Sequence, residues 1–417
     1  MKDLFTTSLL PIFLLTLGIA VVSCDSKVSD DPIDKGDDDY PTIEAQGSLD
    51  DYQTMSIDYG LSMFQDVVAT VEEENVLVSP YSLQSALYMT MQGSADVTLD
   101  EFRTALNTGD FYPNGLANYY EELAAKLRPT GENTNFDSQN KIFYFPSLFT
   151  PDEDYKNEIE SFYSGSFTEE DFSDPATVDV INGWVSEVTE GRIEKVLDMI
   201  QPDEAIFLIN ALVFTADWGL GFEPDATYDR AFTKADGSAI DVPTMSSDDN
   251  RPFVVNEDYS AVDIPVKDED YAVTFILPSE TSNINEFVSA FDTDRYRDIY
   301  NNLQENRVQV YLPKFELSTS MNMKDILIDR GMTTTFESAN LSKMGQFVGN
   351  PYLTRVLHDV FIKVDEKGIE GAAVTTVGVG VESLPPTLTF DRPFVFVVRH
   401  IETQVPLFIG KVGNPLE

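Results

Sequence analysis

The stretch Asp365 to Pro386, DEKGIEGAAVTTVGVGVESLPP, places the strongest condition on any fold for this chain, because it reads as a strand in one state and a loop in another. From Gly371 to Val381 it carries no charge, in a chain where 24% of residues are charged. Taken alternately, Ile369, Gly371, Ala373, Thr375, Val377, Val379 and Val381 form one face, all apolar or small. Glu370, Ala372, Val374, Thr376, Gly378 and Gly380 form the other. A period of two with one face that tolerates burial is the pattern of a strand able to enter a sheet. The glycines, with Glu366, Lys367, Glu382, Pro385 and Pro386 on the flanks, suit an exposed loop instead. An ordinary edge strand is the simpler alternative.

The rest of the globular chain alternates strand and helix patterns. Ile57, Leu61, Phe64 and Val68 recur at helical spacing, so an amphipathic helix opens the domain. In Asn75 to Ala95 a short strand meets Pro80, and Ser79 with Pro80 fits a helix cap and first position. Further helices are expected around Leu99 to Leu106, around Leu116 to Leu127, and along Val178, Ile181, Val185 and Val188. Ala205 to Phe214, AIFLINALVF, is nearly continuous apolar sequence and predicts a strand buried on both faces. Asn210 interrupts it, and in a core it needs a hydrogen-bond partner, since an unpaired buried amide costs about 1 to 3 kcal/mol. Strands and helices continue through Ala261 to Leu277, Val308 to Phe315 and a helix ending near Gly331; two apolar strands, DRPFVF and LFIGKVGNP, close the chain. With 42% hydrophobic and 12% aromatic residues the chain builds a substantial core despite a net charge of -45. That charge repels phosphate backbones and anionic headgroups, so nucleic-acid binding is excluded.

The ribbon and its context resemble the reactive-centre loop of the serpins. The family opens a hinge with an acidic residue and glycine, continues with small uncharged residues and a scissile bond, and ends in a Phe-x-x-Pro-Phe strand. Here these are Glu366, Gly368, Gly371 to Thr376, then Phe390, Pro393 and Phe394. Fourteen residues on from Gly368, the usual loop length puts the reactive bond between Glu382 and Ser383, with Val381 or Val379 as alternative reactive residues. The hinge comprises Glu366, Gly368, Ile369, Glu370, Gly371, Ala372, Ala373, Val374 and Thr375. Two of these depart from the family: Ile369 replaces the usual threonine or serine, and Gly371 replaces alanine. In serpins two hydroxyls below the central sheet meet an asparagine and a histidine; Ser79, Ser82, Asn210 and His358 stand at those positions, and Trp218 matches the tryptophan under the loop's insertion point. Gln139 to Phe145, Asp171-Phe172, Asn182, Trp184 and Thr189 match further landmarks.

The resemblance covers residues 50–417, without an internal repeat or linker, and implies one α+β domain: a large mixed central sheet, smaller sheets, about eight or nine helices and an exposed loop at 366–387. It implies a suicide inhibitor that traps a serine protease by inserting its cleaved loop into the central sheet. Glu382 suits a glutamate-preferring protease, Val381 or Val379 an elastase-like one. The alternative is a non-inhibitory surface lipoprotein of this fold that binds a ligand or protein. Asp100, Glu101, Glu121 and Glu122 lie where glycosaminoglycan-binding members carry a basic helix, so no heparin-type cofactor is expected, and no other cofactor or metal; a monomer is expected.

Residues 1–23 resemble a bacterial lipoprotein signal: Lys2, an apolar run from Leu4 to Val22, then Ser23 before Cys24, the one cysteine. A spanning helix or an ordinary secretory signal are the competing readings. Residues 24–49 read as an acidic flexible tether, which would hold the domain at a bacterial envelope membrane, at the outer membrane or cell surface, through a lipid on Cys24. Catalytic equipment is thin. The chain has 2 histidines and no nucleophile elbow, zinc-binding pair, cysteine cluster or phosphate loop, so an enzyme is not expected.

Overall fold

The computed structural model describes residues 47–369 and 385–417. Contacts divide the chain into Met1–Asp38 and Asp39–Glu417, and every described residue belongs to the second unit. The leader, most of the tether with Cys24, and the ribbon from Glu370 to Leu384 lie outside the described residues.

The helices are α1 (Leu49–Thr70), α2 (Pro80–Gln92), α3 (Asp96–Ala105), α4 (Pro113–Lys126), α5 (Glu153–Tyr163), α6 (Ala176–Val188), α7 (Ile284–Ser289), α8 (Thr293–Asn302) and α9 (Lys324–Asp329), of which α5 was not expected from the sequence. Local chemistry sets their starts. Ser48 and Asp51 form a reciprocal capping box on α1. Ser79 caps α2, accepting from the Ser82 amide, and Pro80 takes the first helical position, where its missing N–H costs nothing. Ile57, Leu61, Phe64 and Val68 of α1 are all buried.

The strands in chain order are β1 (Val76–Val78), β2 (Thr134–Tyr144), β3 (Phe149–Pro151), β4 (Ser166–Glu169), β5 (Ile206–Asp217), β6 (Tyr228–Thr233), β7 (Ala239–Val255), β8 (Tyr259–Pro265), β9 (Tyr271–Pro278), β10 (Gln304–Pro313), β11 (Phe315–Asn322), β12 (Gly345–Phe347), β13 (Leu357–Val364), β14 (Gly368–Ile369), β15 (Thr387–Thr389), β16 (Phe394–His400) and β17 (Pro406–Val412). A nine-stranded sheet runs β1-β17-β16-β9-β8-β7-β10-β15, with β6 on β7. A six-stranded sheet runs β11-β13-β14-β5-β2-β4, and β12 pairs with β3. The expected run from Val308 to Phe315 divides at Lys314, so that β10 and β11 enter different sheets. Its last residue, Phe315, opens β11, which pairs with β13.

The six-stranded sheet is mixed. β13 is antiparallel to β11, β5 is antiparallel to β2, and β4 is parallel to β2. β14 is antiparallel to both β5 and β13, which therefore run parallel to each other. Only two residues of β14 stand between them, and among the described residues no pairing joins β5 directly to β13. Below β14 lies a slot. This corrects the expectation for Ala205 to Phe214: Leu208, Ile209, Asn210 and Leu212 are half-buried, because one edge of β5 has no neighbouring strand among the described residues.

Candidate functional site

The hinge is built where β13 turns back toward the slot. β13 ends at Val364, the Asp365 amide donates to the Gly368 carbonyl at 3.1 Å, and the Lys367 amide donates to Asp365 Oδ1 at 2.8 Å. Gly368 then passes so close to β5 that any side chain would collide with the Ala216 carbonyl. Only glycine fits there. Ile369 follows, paired with Ala216 on one side and Val364 on the other, and is 1% exposed. The departure from a small polar residue thus places a large apolar side chain in the core at the head of the slot.

The turn is sewn to the chain after β5. Trp218 Nε1 donates to the Asp365 carbonyl at 2.9 Å, the Trp218 amide to the Lys367 carbonyl at 2.9 Å, and the Phe222 amide to the Glu366 carbonyl at 2.9 Å. Glu366 accepts from Lys314 Nζ at 2.9 Å and from Thr227 Oγ1 at 2.8 Å. Partial burial would raise its carboxyl, but hydrogen bonds from Lys314 and Thr227 outweigh that and hold it below the usual range. Glu366, Gly368, Ile369 and Trp218 therefore meet at one end of the slot. Glu370 to Thr375, Val379, Val381, Glu382 and Ser383 lie outside the described residues. On the far side, the Gln309 amide donates to the Pro386 carbonyl at 2.9 Å and β15 pairs in parallel with β10, so the chain re-enters the fold at the nine-stranded sheet.

The four polar residues predicted beneath the sheet divide into two groups. Ser79, Ser82 and His358 come together: the Ser79 amide donates to His358 Nε2 at 3.1 Å, and the Ser82 amide donates to Ser79 Oγ at 3.3 Å. Burial lowers the His358 pKa to about 4, so the ring is neutral at pH 7, and with Nε2 accepting, its proton sits on Nδ1. Asn210 does not join them. It borders the same cavity, but its Nδ2 donates to Ser138 Oγ at 2.9 Å and to Asn140 Oδ1 at 2.9 Å, both on β2. Its Oδ1 is buried without a partner among the described residues. The open slot accounts for this: with no strand between β5 and β13, the amide turns to the neighbour that β5 does have.

Sequence reasoning missed Asn140. It accepts from Ser85 Oγ at 2.8 Å, donates to the Tyr163 carbonyl at 2.8 Å, and links through Ser85 to Tyr120. Its signal was a polar residue in register with Ile142 and Tyr144, where the strand period calls for an apolar one. Asp359, next to His358 on β13, was also missed; burial raises its carboxyl to about 6, against a hydrogen bond from Ser320. His400 packs in β16, edge-on to Tyr271 at 5.1 Å and 3.0 Å from the Thr403 hydroxyl.

Between β5 and β13 the slot widens into a cavity of about 490 Å³, bordered by Ser82 and Leu87 of α2, by Leu208 and Asn210 of β5, and by Leu357 and His358 of β13. Glu204 and Arg355 form an ion pair on its wall, and among the described residues no group of three or more His, Cys, Asp or Glu side chains could hold a metal ion. Among the described residues β5 and β13 thus face each other across the cavity as two strand edges without a ladder partner, the kind of edge that can admit an extended segment.

Comparison with known proteins shows what the chain and its fold are similar to. The family model for Serpin (serine protease inhibitor) matches residues 55–415. A serpin-like protein of Methanosarcina acetivorans is 30% identical over 358 residues, covering 82% of each chain. Iripin-2 of Ixodes ricinus is 28% identical over 353 residues, covering 82% of this chain and 88% of its own. Among solved structures, the thermophilic serpin Tengpin in its native state superposes with a TM-score of 0.81 at 31% identity, covering 87% of this chain and 94% of its own. Tengpin in its latent state gives 0.76 at 29% identity, covering 88% and 98%. Human thyroxine-binding globulin complexed with its hormone shares the fold at 0.81 and 23% identity, covering 89% and 100%.

Proposed function

The chain belongs to the serpin family, and on that premise we propose that it is a suicide inhibitor of serine proteases rather than an enzyme. One observation supports the reading: among the described residues the parallel strands β5 and β13 have no strand between them below β14, and the first two residues of the segment that would fill that place already sit at its head.

The protease serine adds to the Glu382 carbonyl, the Glu382–Ser383 peptide bond breaks, Ser383 leaves as an amine, and Glu382 stays esterified to the enzyme. Insertion then continues from Ile369 before water completes the cycle. Ile369 lies between Ala216 and Val364, and in this reading insertion continues that register residue by residue, which would bring Thr375 between Asn210 and His358. Gly371, Ala373 and Thr375 fall on the face toward α2, where small uncharged side chains fit. Thr375 brings a hydroxyl to the amide oxygen of Asn210 that has no partner. The carboxylate of Glu382 directs the inhibitor to glutamate-preferring enzymes, and Val381 or Val379 to elastase-like ones.

The test is to mix the protein with a glutamate-preferring and an elastase-like serine protease. An adduct of summed mass that survives SDS, a higher melting temperature after loop cleavage, and a cut within three residues of Glu382 support the reading. Turnover without adduct or stabilisation refutes it. That outcome favours a second reading, a binding module of this fold, for which the cavity of about 490 Å³ is the supporting feature. In both readings we place the domain on a bacterial envelope membrane through a lipid on Cys24. An N-terminal peptide mass lacking acyl chains on Cys24 would remove that element.

A further inference from the structure

The cavity between β5 and β13 has a chemical bias of its own. Its volume of about 490 Å³ lies within the roughly 300 to 1,000 Å³ of small-molecule sites. The wall is largely apolar, with Leu87 from α2, Leu208 from β5, and Met344 and Phe347 from the chain around β12. Asp203, Val348 and Tyr352 form an exposed border, Val348 with 73% of its surface open.

The polar groups on this wall lack donors, not acceptors. Asn210 Oδ1 is buried without a partner among the described residues. His358 turns toward Ser79 at the start of α2, and successive residues of a strand alternate, so Asp359 points to the opposite face, where Val185 and Ile193 border the cavity. The Asp359 carboxyl is held by the Ser320 hydroxyl, and no cation among the described residues pairs with it.

The other charged groups nearby do not compensate it. Arg355 Nη2 donates to Glu204 Oε2 at 2.8 Å and to the Met199 carbonyl at 2.9 Å, so its charge is already matched. Glu204 also accepts from the Gln201 amide at 2.7 Å and from Thr354 Oγ1 at 3.0 Å. Asp203 accepts from the Tyr352 hydroxyl at the border, His358 is neutral, and Lys363, further along β13, pairs with Glu316 at 3.8 Å. Three carboxylates on the wall thus face one guanidinium, and the surplus inside is Asp359, whose desolvation raises its pKa to about 6. An anion entering here meets like charge, and a neutral apolar molecule leaves Asp359 uncompensated. An apolar amine covers the wall and also brings the missing cation with its N–H donors.

We infer that the cavity is a binding site for a small apolar primary amine, its ammonium paired with Asp359 and its hydrocarbon body against Leu87, Leu208 and Met344. A second donor on the body, a hydroxyl or N–H, is matched by Asn210 Oδ1. The inference deepens the binding-module reading by naming a ligand class, and it rests on the cavity that supports that reading. Trapping of a protease is not required for it.

Isothermal titration of the full chain with n-octylamine, n-octanol and n-octanoate tests it, the three probes sharing one hydrocarbon body and differing in the head. The amine is expected to bind about tenfold or more tighter than the alcohol, the scale of a hydrogen bond to a charged group, and octanoate not to bind. Asp359→Asn should bring amine and alcohol level, and methylamine, a cation without a body, should not bind wild type. Amine affinity should fall as pH drops below about 6, where Asp359 takes its proton, with no such fall in the variant. If Asp359→Asn does not fold, the wild-type pH profile decides, because adsorption on exposed carboxylates would persist until they protonate near about pH 4. Equal affinity for amine and alcohol, methylamine binding as tightly as n-octylamine, or amine binding indifferent to Asp359→Asn overturns the amine site. Alcohol or octanoate binding best removes the amine and leaves the binding module; no binding by any of the three removes both. The adduct and cleavage assays contain no amine, so the inhibitory reading stands or falls separately.

Discussion

Ile369 offers the sharpest measurement of whether the hinge is seated before any protease arrives. It is 1% exposed and paired on both sides, to Ala216 and Val364, while Gly368 ahead of it fits only because it lacks a side chain. Truncating such a residue to alanine costs about 2 to 5 kcal/mol. For a fold of roughly 360 residues the unfolding entropy is about 0.75 kcal/mol/K, so the melting temperature should fall by about 3 to 7 °C. The fall should be the same in the uncleaved and the loop-cleaved protein, because Ile369 occupies the same place in both. The rise on cleavage is therefore unchanged. Differential scanning calorimetry at one fixed scan rate on both forms of Ile369→Ala and wild type checks this, the fixed rate being needed because unfolding of a large metastable protein is irreversible. A loss confined to the cleaved form would refute the seated hinge, since it would mean that Ile369 enters the sheet only after cleavage.

Two further outcomes follow from the same register. Thr375→Arg would set an uncompensated cation between Asn210 and the neutral His358, at a cost of several kcal/mol; it should turn inhibitor into substrate, with fast cleavage and no SDS-stable adduct, and unchanged inhibition would displace Thr375 from that position. Asp359→Asn should expose a pH dependence that wild type conceals. His358 is held near pKa 4 against 6.5 when unfolded, so the unfolded chain binds the extra proton and about 3 kcal/mol of stability is lost as pH falls from 6.5 to 4. Asp359 is raised to about 6 from 3.8, so its folded form gains the proton first, and it contributes stability of opposite sign over nearly the same window. Denaturant midpoints between pH 7 and 4 should be nearly level for wild type and fall for Asp359→Asn; parallel curves would mean that the two groups do not oppose each other.

Much of this architecture was legible because it is written in short-range patterns. Helical spacing in α1, the Ser79-Pro80 start of α2 and the alternation of the ribbon each depend on residues within a few positions of one another. Gly368 was picked out only through the family resemblance, as a hinge position, and its close approach to the Ala216 carbonyl was not legible. What stayed hidden has long sequence separation. Asn210 announced a need for partners, yet sequence cannot say that Ser138 and Asn140 would meet it while His358 pairs with Ser79. Glu204 and Arg355 are 151 residues apart, in a chain with 72 acidic and 27 basic residues, and nothing local distinguishes that pairing from hundreds of others. The half-exposure of β5 was missed for a related reason: an apolar run encodes affinity for a core, and cannot show that one neighbour is withheld.

That withheld neighbour gives the native state identifiable deficits. Asn210 Oδ1 is buried and unpartnered, Leu208 and Leu212 are half-covered, and from Ile206 to Thr215 the β13-facing edge of β5 has no ladder partner among the described residues. An unpaired buried carbonyl costs about 1 to 3 kcal/mol, and unpaired edges ordinarily recruit a strand. The sheet does not simply close, because contacts hold both ends of this gap. At its head β14 already lies between the flanking strands, sewn to Trp218 and Phe222; at its foot Arg355 spans to Glu204 and Phe207. Bringing β5 against β13 would require expelling Ile369 from the core and rearranging the Arg355–Glu204 ion pair. A sheet pinned open at both ends lowers the barrier to accepting a strand while leaving the unfilled state costly, which is the combination that a trap acting before deacylation requires.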